Sequence, residues 1–241
     1  MRIFSTLALA VSLALLPSVA PAHETLFVGD LRQIAKNELK GSVDLSEIVA
    51  KPGAYGIGML DGLDGELLIL DGRAFLGHRT LHANSTLLNG DSRVAFGAFA
   101  FVQSWTAIPI PESVESFETL TAFIAEVLPS YGYRLDEAVP VRVQAKAVGL
   151  RWFIVGGMGN LEPSPRESFV RQIVRGGLDE VEFEAFGIHS QAHRGIYTSP
   201  GSDLHLHFRT KTPEPFVAHL DDKVILKPGG RLLIPNSGRS R

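Results

Sequence analysis

The chain has 241 residues, 45% of them hydrophobic and 20% charged, with 24 glycines and 14 prolines. That is the make-up of a globular protein able to bury its own core, not of a disordered or collagen-like chain. A formal charge of −3, from 23 basic and 26 acidic side chains with no Lys/Arg cluster longer than a pair, gives no electrostatic footprint for nucleic acid. Cysteine is absent, which excludes disulfides, thiolate nucleophiles, Fe–S clusters and zinc ribbons. Any transition-metal site must therefore draw on the eight histidines and the carboxylates.

Met1 and Arg2 precede an uncharged stretch whose most apolar part is 7–16, and Ala20-Pro21-Ala22 follows. This is the layout of a secretory signal over 1–22, so the chain is expected to be exported, periplasmic or secreted, with a mature form beginning at His23. No membrane span is expected after cleavage. The region 23–241 is read as one catalytic domain, with Ala107-Ile-Pro-Ile-Pro111 as the best internal linker and a subdivision near 107–115 left open.

Helical spacing is expected over 31–39, and Asp44-Leu-Ser-Glu47 reads as a capping box opening a short helix through Ala50. Strands follow at 55–60, 66–70 and 73–76, punctuated by Asp61-Gly62, Asp64-Gly65 and Asp71-Gly72, the turn dipeptides of an antiparallel meander. Another apolar run covers 94–103. From Ser116, the positions Phe117, Leu120, Phe123, Ile124, Val127 and Leu128 give one amphipathic helical face. The remainder reads as strands at 141–148, 152–155, 181–188, 204–208, 216–220 and 224–227, the last continued at 232–234. Strands outnumber helices without regular alternation, so the expected class is α+β: two halves built on mixed or antiparallel sheets with a few flanking helices. Gly156-Gly157-Met158-Gly159 lacks the helix and the Gly-Lys-Ser/Thr ending of a phosphate loop.

Leu204-His205-Leu206-His207-Phe208 is the sharpest local feature. On a strand, His205 and His207 share one face, with Cα atoms roughly 7 Å apart, a spacing at which two imidazoles can chelate one ion. An exposed strand face bearing two histidines is the competing reading. His219 would join them across a hairpin whose loop spans 210–215, provided the paired residue numbers sum to 426; a sum of 425 sends it behind Leu206. Sequence leaves this parity open. Three nitrogen ligands with an open fourth position would be the arrangement of a catalytic zinc. His78, His82, His189 and His193 read as surface histidines, and His23 as a remote candidate for copper through its amine and ring. Glu66 opens an apolar strand straight after a turn. It is either an edge-strand charge or a desolvated carboxyl suited to proton transfer.

Together, Ala54-Tyr-Gly-Ile-Gly-Met-Leu-Asp-Gly-Leu-Asp-Gly-Glu66-Leu-Leu-Ile-Leu-Asp-Gly72, the preceding Gly41-Ser-Val-Asp-Leu-Ser-Glu47, and the later His205-Leu-His207-Phe208 and His219-Leu220 resemble the α-acetolactate decarboxylase family. The resemblance runs from about Leu26 to Leu220. It implies a Zn²⁺ ion held by His205, His207 and His219, with Glu66 as a catalytic carboxyl and Arg166 as the arginine that positions the substrate's carboxylate, Arg171 being the alternative. Several features depart from the family pattern: the spacing from Arg166 to Gln172 and the missing proline between them, the Gly201-Ser-Asp-Leu204 stretch before the histidine pair, the absence of a C-terminal Glu after Glu214, and an interval from His207 to His219 one residue longer than usual. The implied reaction is decarboxylation of 2-acetolactate, a 2-hydroxy-3-oxo acid, to acetoin and CO₂. The ion would chelate the hydroxyl and ketone oxygens and stabilise the enediolate, and Glu66 would protonate one face of the carbon. No organic cofactor is called for, and a homodimer stays open.

Two other readings compete. A cupin-like dioxygenase or isomerase also uses a His-x-His strand, but with a carboxylate four or five residues later, whereas Glu214 is seven beyond His207. A non-catalytic periplasmic metal-binding protein would close the site with a fourth ligand.

Overall fold

The computed structural model describes residues 23–34, 40–63, 65–78, 86–88, 91–156 and 173–237. The expected signal segment 1–22, His82, Arg166 and Arg171 lie outside the described residues. The elements in chain order are β1 Glu24–Val28, α1 Leu31–Ile34, β2 Val43–Asp44, α2 Leu45–Val49, β3 Ala54–Leu60, β4 Glu66–Leu70, β5 Arg73–Gly77, β6 Thr86–Leu87, β7 Arg93–Phe101 and β8 Trp105–Pro109. After these come α3 Phe117–Val127, a 3₁₀ turn Leu128–Tyr131, β9 Val139–Val155, β10 Ile173–His189, β11 Leu204–Thr210, β12 Val217–Leu220 and β13 Arg231–Pro235.

Two antiparallel sheets result. The first runs β1-β7-β3-β4-β5-β6, with β2 also on β7; the second runs β10-β11-β12-β9-β13-β8 and closes on itself, because β9 also pairs with β10. Alternation along β4 sends Leu67 and Ile69 into a core shared with Leu45, Ile48, Val94 and Phe99, while Leu68 and Leu70 face the second sheet. There they meet Phe186, Ile188 and Val217, so the two sheets pack face to face. The approach is close: a Cβ on Gly77 would fall 1.9 Å from the Val217 carbonyl oxygen, which only glycine avoids. The far side of the second sheet is covered by α3 through Leu120 and Ile124.

The structure corrects several expected elements. Asp44 makes no side-chain cap to α2; its carboxylate instead takes Arg93 Nη1 at 2.8 Å. The capping box belongs to α3, where Ser116 and Thr119 satisfy each other's backbone N–H groups. The expected linker at 107–111 is largely strand, since β8 pairs with β13 from Arg231↔Pro109 to Pro235↔Trp105. An edge strand accommodates such prolines on the side that needs no donor. The strands expected at 141–148 and 152–155 are one strand, carried through Gly149 at φ +75. The segment 224–227 forms only the isolated bridge Ala147↔Leu226. β1 went unforeseen. Among the described residues no helix is long and apolar enough to cross a membrane.

At one end of the interface, Glu184 is shared by two arginines, Arg209 Nη2 at 2.5 Å and Arg142 Nη2 at 3.8 Å. The Arg142 guanidinium also lies 4.8 Å from the Tyr55 ring centroid and that of Arg209 4.5 Å from Phe75, so both reach onto first-sheet aromatics. Glu184→Gln would leave two largely buried guanidiniums without their common carboxylate. It is expected to cost about 2–3 kcal/mol, below the full buried-pair penalty because the groups keep some solvent contact. Urea unfolding checks this: the midpoint should fall at unchanged slope, and an unmoved midpoint would show the carboxylate to be dispensable.

Candidate metal centre and buried carboxyl

β11 alternates as its sequence dictates, with Leu204, Leu206 and Phe208 in the α3-side core and His205 and His207 on the opposite face. Pairing with β12 is His207↔His219, Phe208↔Ala218 and Arg209↔Val217, the register whose residue numbers sum to 426. Hairpin partners point the same way, so His219 joins the pair, and one ring nitrogen from each of the three lies within 4.8 Å of the others. His205 and His207 are buried; His219 is part-buried.

Each ring is oriented by its own backbone acceptor. Nδ1 of His205 donates to the Tyr197 carbonyl at 2.6 Å, that of His207 to Leu67 at 2.8 Å and that of His219 to Leu220 at 2.7 Å. These partners assign the tautomer: Nδ1 carries the hydrogen and Nε2 is left with a free lone pair. Burial pushes His205 down to about 4 and holds His207 and His219 well below the usual imidazole range, so none gains a second proton near neutrality. The Nε2 atoms of His205 and His207 thus face each other at 3.1 Å as two acceptors with no proton between them. Such a juxtaposition is repulsive unless a cation sits among the lone pairs. The donor set therefore fits a metal ion.

Glu66 comes from the other sheet. The turn before it holds Gly65 at φ +85, where a Cβ would fall 2.4 Å from the Gly77 carbonyl oxygen, and the Gly65 N–H donates to Val155 O at 2.8 Å. Glu66 itself is fully buried, and its Oε1 accepts the Val155 N–H at 2.8 Å. A double tie thus joins the end of β9 to the start of β4. Oε2 lies 3.2 Å from His207 Nε2 but is not aligned for a hydrogen bond and has no partner. Desolvation raises the carboxyl well above the usual carboxylate range, outweighing the Val155 hydrogen bond that opposes it. β4 lies between β3 and β5, so the edge-strand reading of Glu66 does not hold.

Around these groups, Phe153 stacks on His219 with ring centroids 3.9 Å apart. The loop between β10 and β11 carries Tyr197, and Arg194 Nη2 binds Asp203 at 2.8 Å across its base. Neither Tyr197 nor Phe153 is signalled in the sequence: a carbonyl acceptor has no residue-type signature, and Phe153 meets His219 only through the pairing of distant strands. Of the spare histidines, His193 shares a hydrogen bond with Ser190 Oγ at 2.8 Å, His189 is buried with neither ring nitrogen paired, and His23 packs on Tyr133. Among the described residues none of them joins the cluster.

The chain matches the family described as Alpha-acetolactate decarboxylase over residues 27–214. It belongs to that family. The Alpha-acetolactate decarboxylase match ends before His219, the third imidazole of the cluster. Solved structures with the same fold include a Staphylococcus aureus protein of unknown function similar to alpha-acetolactate decarboxylase, 17% identical with a TM-score of 0.71, covering 87% of this chain and 84% of that one. Alpha-acetolactate decarboxylase from Bacillus subtilis strain 168 is 20% identical, with a TM-score of 0.68 and coverage of 87% and 83%. The acetolactate decarboxylase of Bacillus subtilis subspecies spizizenii is 19% identical, with a TM-score of 0.69 and coverage of 88% and 85%. No curated protein matches the chain. Membership of the Alpha-acetolactate decarboxylase family takes the place of the cupin-like reading.

Proposed function

We propose that the chain decarboxylates 2-acetolactate to acetoin and CO₂, using a zinc ion held by His205, His207 and His219. One observation carries the reading: a fully buried carboxyl on the first sheet, which desolvation pushes well above the usual carboxylate range, faces three imidazoles of the second, each already fixed with its lone pair inward. Three protein donors are the number of an open catalytic site, not of a closed structural one. When bound, the ion supplies a Lewis acid for the negative charge that develops on the substrate oxygens as CO₂ leaves.

The chain's own groups do the rest. The Val155 N–H holds Oε1 of Glu66 in place, so the proton resides on Oε2, the oxygen nearest the imidazoles. From there it is delivered to the carbon that has lost CO₂. Because Glu66 is anchored on one side of the cluster, delivery is to one face and the product forms as a single enantiomer. Burial under the second sheet keeps water from protonating that carbon first.

The test is direct: incubate zinc-loaded protein with racemic 2-acetolactate and follow acetoin by chiral chromatography. Acetoin in excess of one enantiomer is expected. A fully zinc-occupied protein that makes none would overturn the substrate reading.

A further inference from the structure

A 2-hydroxy-3-oxo acid brings a carboxylate to the site, and none of Glu66, His205, His207 and His219 carries the paired N–H donors of a guanidinium that would take it bidentately. On the second sheet, Phe153 is paired with Arg175 on one side and with His219 on the other. Directly opposed residues of antiparallel strands point the same way, so Arg175, Phe153 and His219 form one row. The Phe153 ring stacks on the His219 imidazole at 3.9 Å, and the Arg175 guanidinium lies 5.5 Å from the Phe153 centroid. The Arg175 side chain is 57% exposed, and its Nε donates to Asp221 Oδ2 at 3.3 Å. A single long bond of this kind at the surface is weak and readily exchanged.

We propose that Arg175 holds the carboxylate of the substrate, in place of the Arg166 or Arg171 that the family resemblance suggested. This rests on the decarboxylase reading and deepens it. A guanidinium leaning over a ring can take a carboxylate through two parallel N–H donors, and the apolar Phe153 floor keeps that carboxylate close-packed beside the three imidazoles. As the bond between the carboxylate carbon and its neighbour breaks, its electron pair stays on the neighbouring carbon, which then takes the Glu66 proton. CO₂ leaves uncharged, and Arg175 returns to Asp221. Solvent re-protonates Glu66, so the balance is one acid anion and one proton in, one acetoin and one CO₂ out.

The experiment compares Arg175→Met and Arg175→Lys with the wild-type, zinc-loaded protein. Two inhibitors serve as probes: 2,3-dihydroxy-2-methylbutanoate, which carries the carboxylate and both oxygens, and 2,3-butanediol, which lacks the carboxylate. Binding is measured by calorimetry and KM and kcat by acetoin formation. Arg175→Met is expected to weaken the acid by about 10–100-fold, the range for a lost charge-assisted pair, and to lower kcat/KM by a similar factor. Diol binding and zinc content should stay unchanged, and Arg175→Lys should recover part of the loss. Asp221→Asn, which frees the guanidinium, should tighten the acid. If Arg175→Met binds the acid and turns over substrate within threefold of wild type, the assignment falls and the decarboxylase reading stands. A wild-type protein that makes no acetoin yet binds the acid in an Arg175-dependent way overturns the substrate and keeps the carboxylate site.

Discussion

Glu66→Gln will lower turnover of 2-acetolactate by about 10²–10⁴-fold, the usual worth of a general acid, with zinc content and thermal stability retained. The substitution is nearly isosteric. Its amide oxygen can still accept the Val155 N–H that now reaches Oε1, and its NH₂ occupies the place of Oε2 beside His207. What it removes is the transferable proton. Burying a neutral amide in place of a neutral carboxyl adds no charge to the interface, so stability is not expected to move by more than about 1 kcal/mol. Kinetics, metal analysis and a thermal melt on one preparation separate the outcomes. Turnover within a few-fold of wild type would make Glu66 a structural tie between β4 and β9 and nothing more.

His219→Ala is expected to abolish ion retention at the centre proposed to hold one ion per chain. Two imidazoles, His205 and His207, remain on one strand, but they cannot define a three-donor face. The loss of affinity should exceed the roughly 10–100-fold that accompanies removal of an outer partner such as a ring-orienting acceptor. The same variant also removes the ring on which Phe153 stacks, so His219→Asn serves as the control that keeps a polar planar group there. Metal per chain after dialysis against a weak chelator is the readout. A stoichiometric ion surviving in both variants would mean that the centre is built on other donors.

The alternation in 204–208 was legible because a strand has a period of two, and the placement of His205 and His207 on one face needs nothing else. The parity that adds His219 was not. It is set inside the hairpin loop, where Thr210 donates its N–H to Phe216 O at 2.9 Å, accepts the Phe216 N–H on Oγ1 at 2.8 Å, and Thr212 Oγ1 donates to Glu214 O at 2.6 Å. These side-chain contacts follow no short turn signature. Glu66 could be found as the residue after a turn, but its complete burial depends on Val155 and His207, contributed by strands far along the chain. Proline spacing at 109 and 111 looked like a linker because sequence does not say that β8 lies at a sheet edge. The long β9 was split because Gly149 breaks the apolar pattern where the strand in fact continues.

The order in which the strands enter the two sheets has a consequence for how the molecule is made. Every strand of the first sheet lies between Glu24 and Phe101, so that sheet can assemble from a nascent chain less than half complete. The second cannot: β8, its first strand in the chain, finds its partner only in β13, whose pairing runs from Arg231 to Pro235. The hydrogen bond from His207 to the Leu67 carbonyl, which unites carboxyl strand and imidazole strand, spans 140 positions. Contacts of such separation form slowly, after local ones. A vectorially emerging chain would therefore hold a finished first sheet with Glu66 still uncovered, waiting on the strands that follow Phe101, and would be most vulnerable to aggregation and proteolysis in that interval.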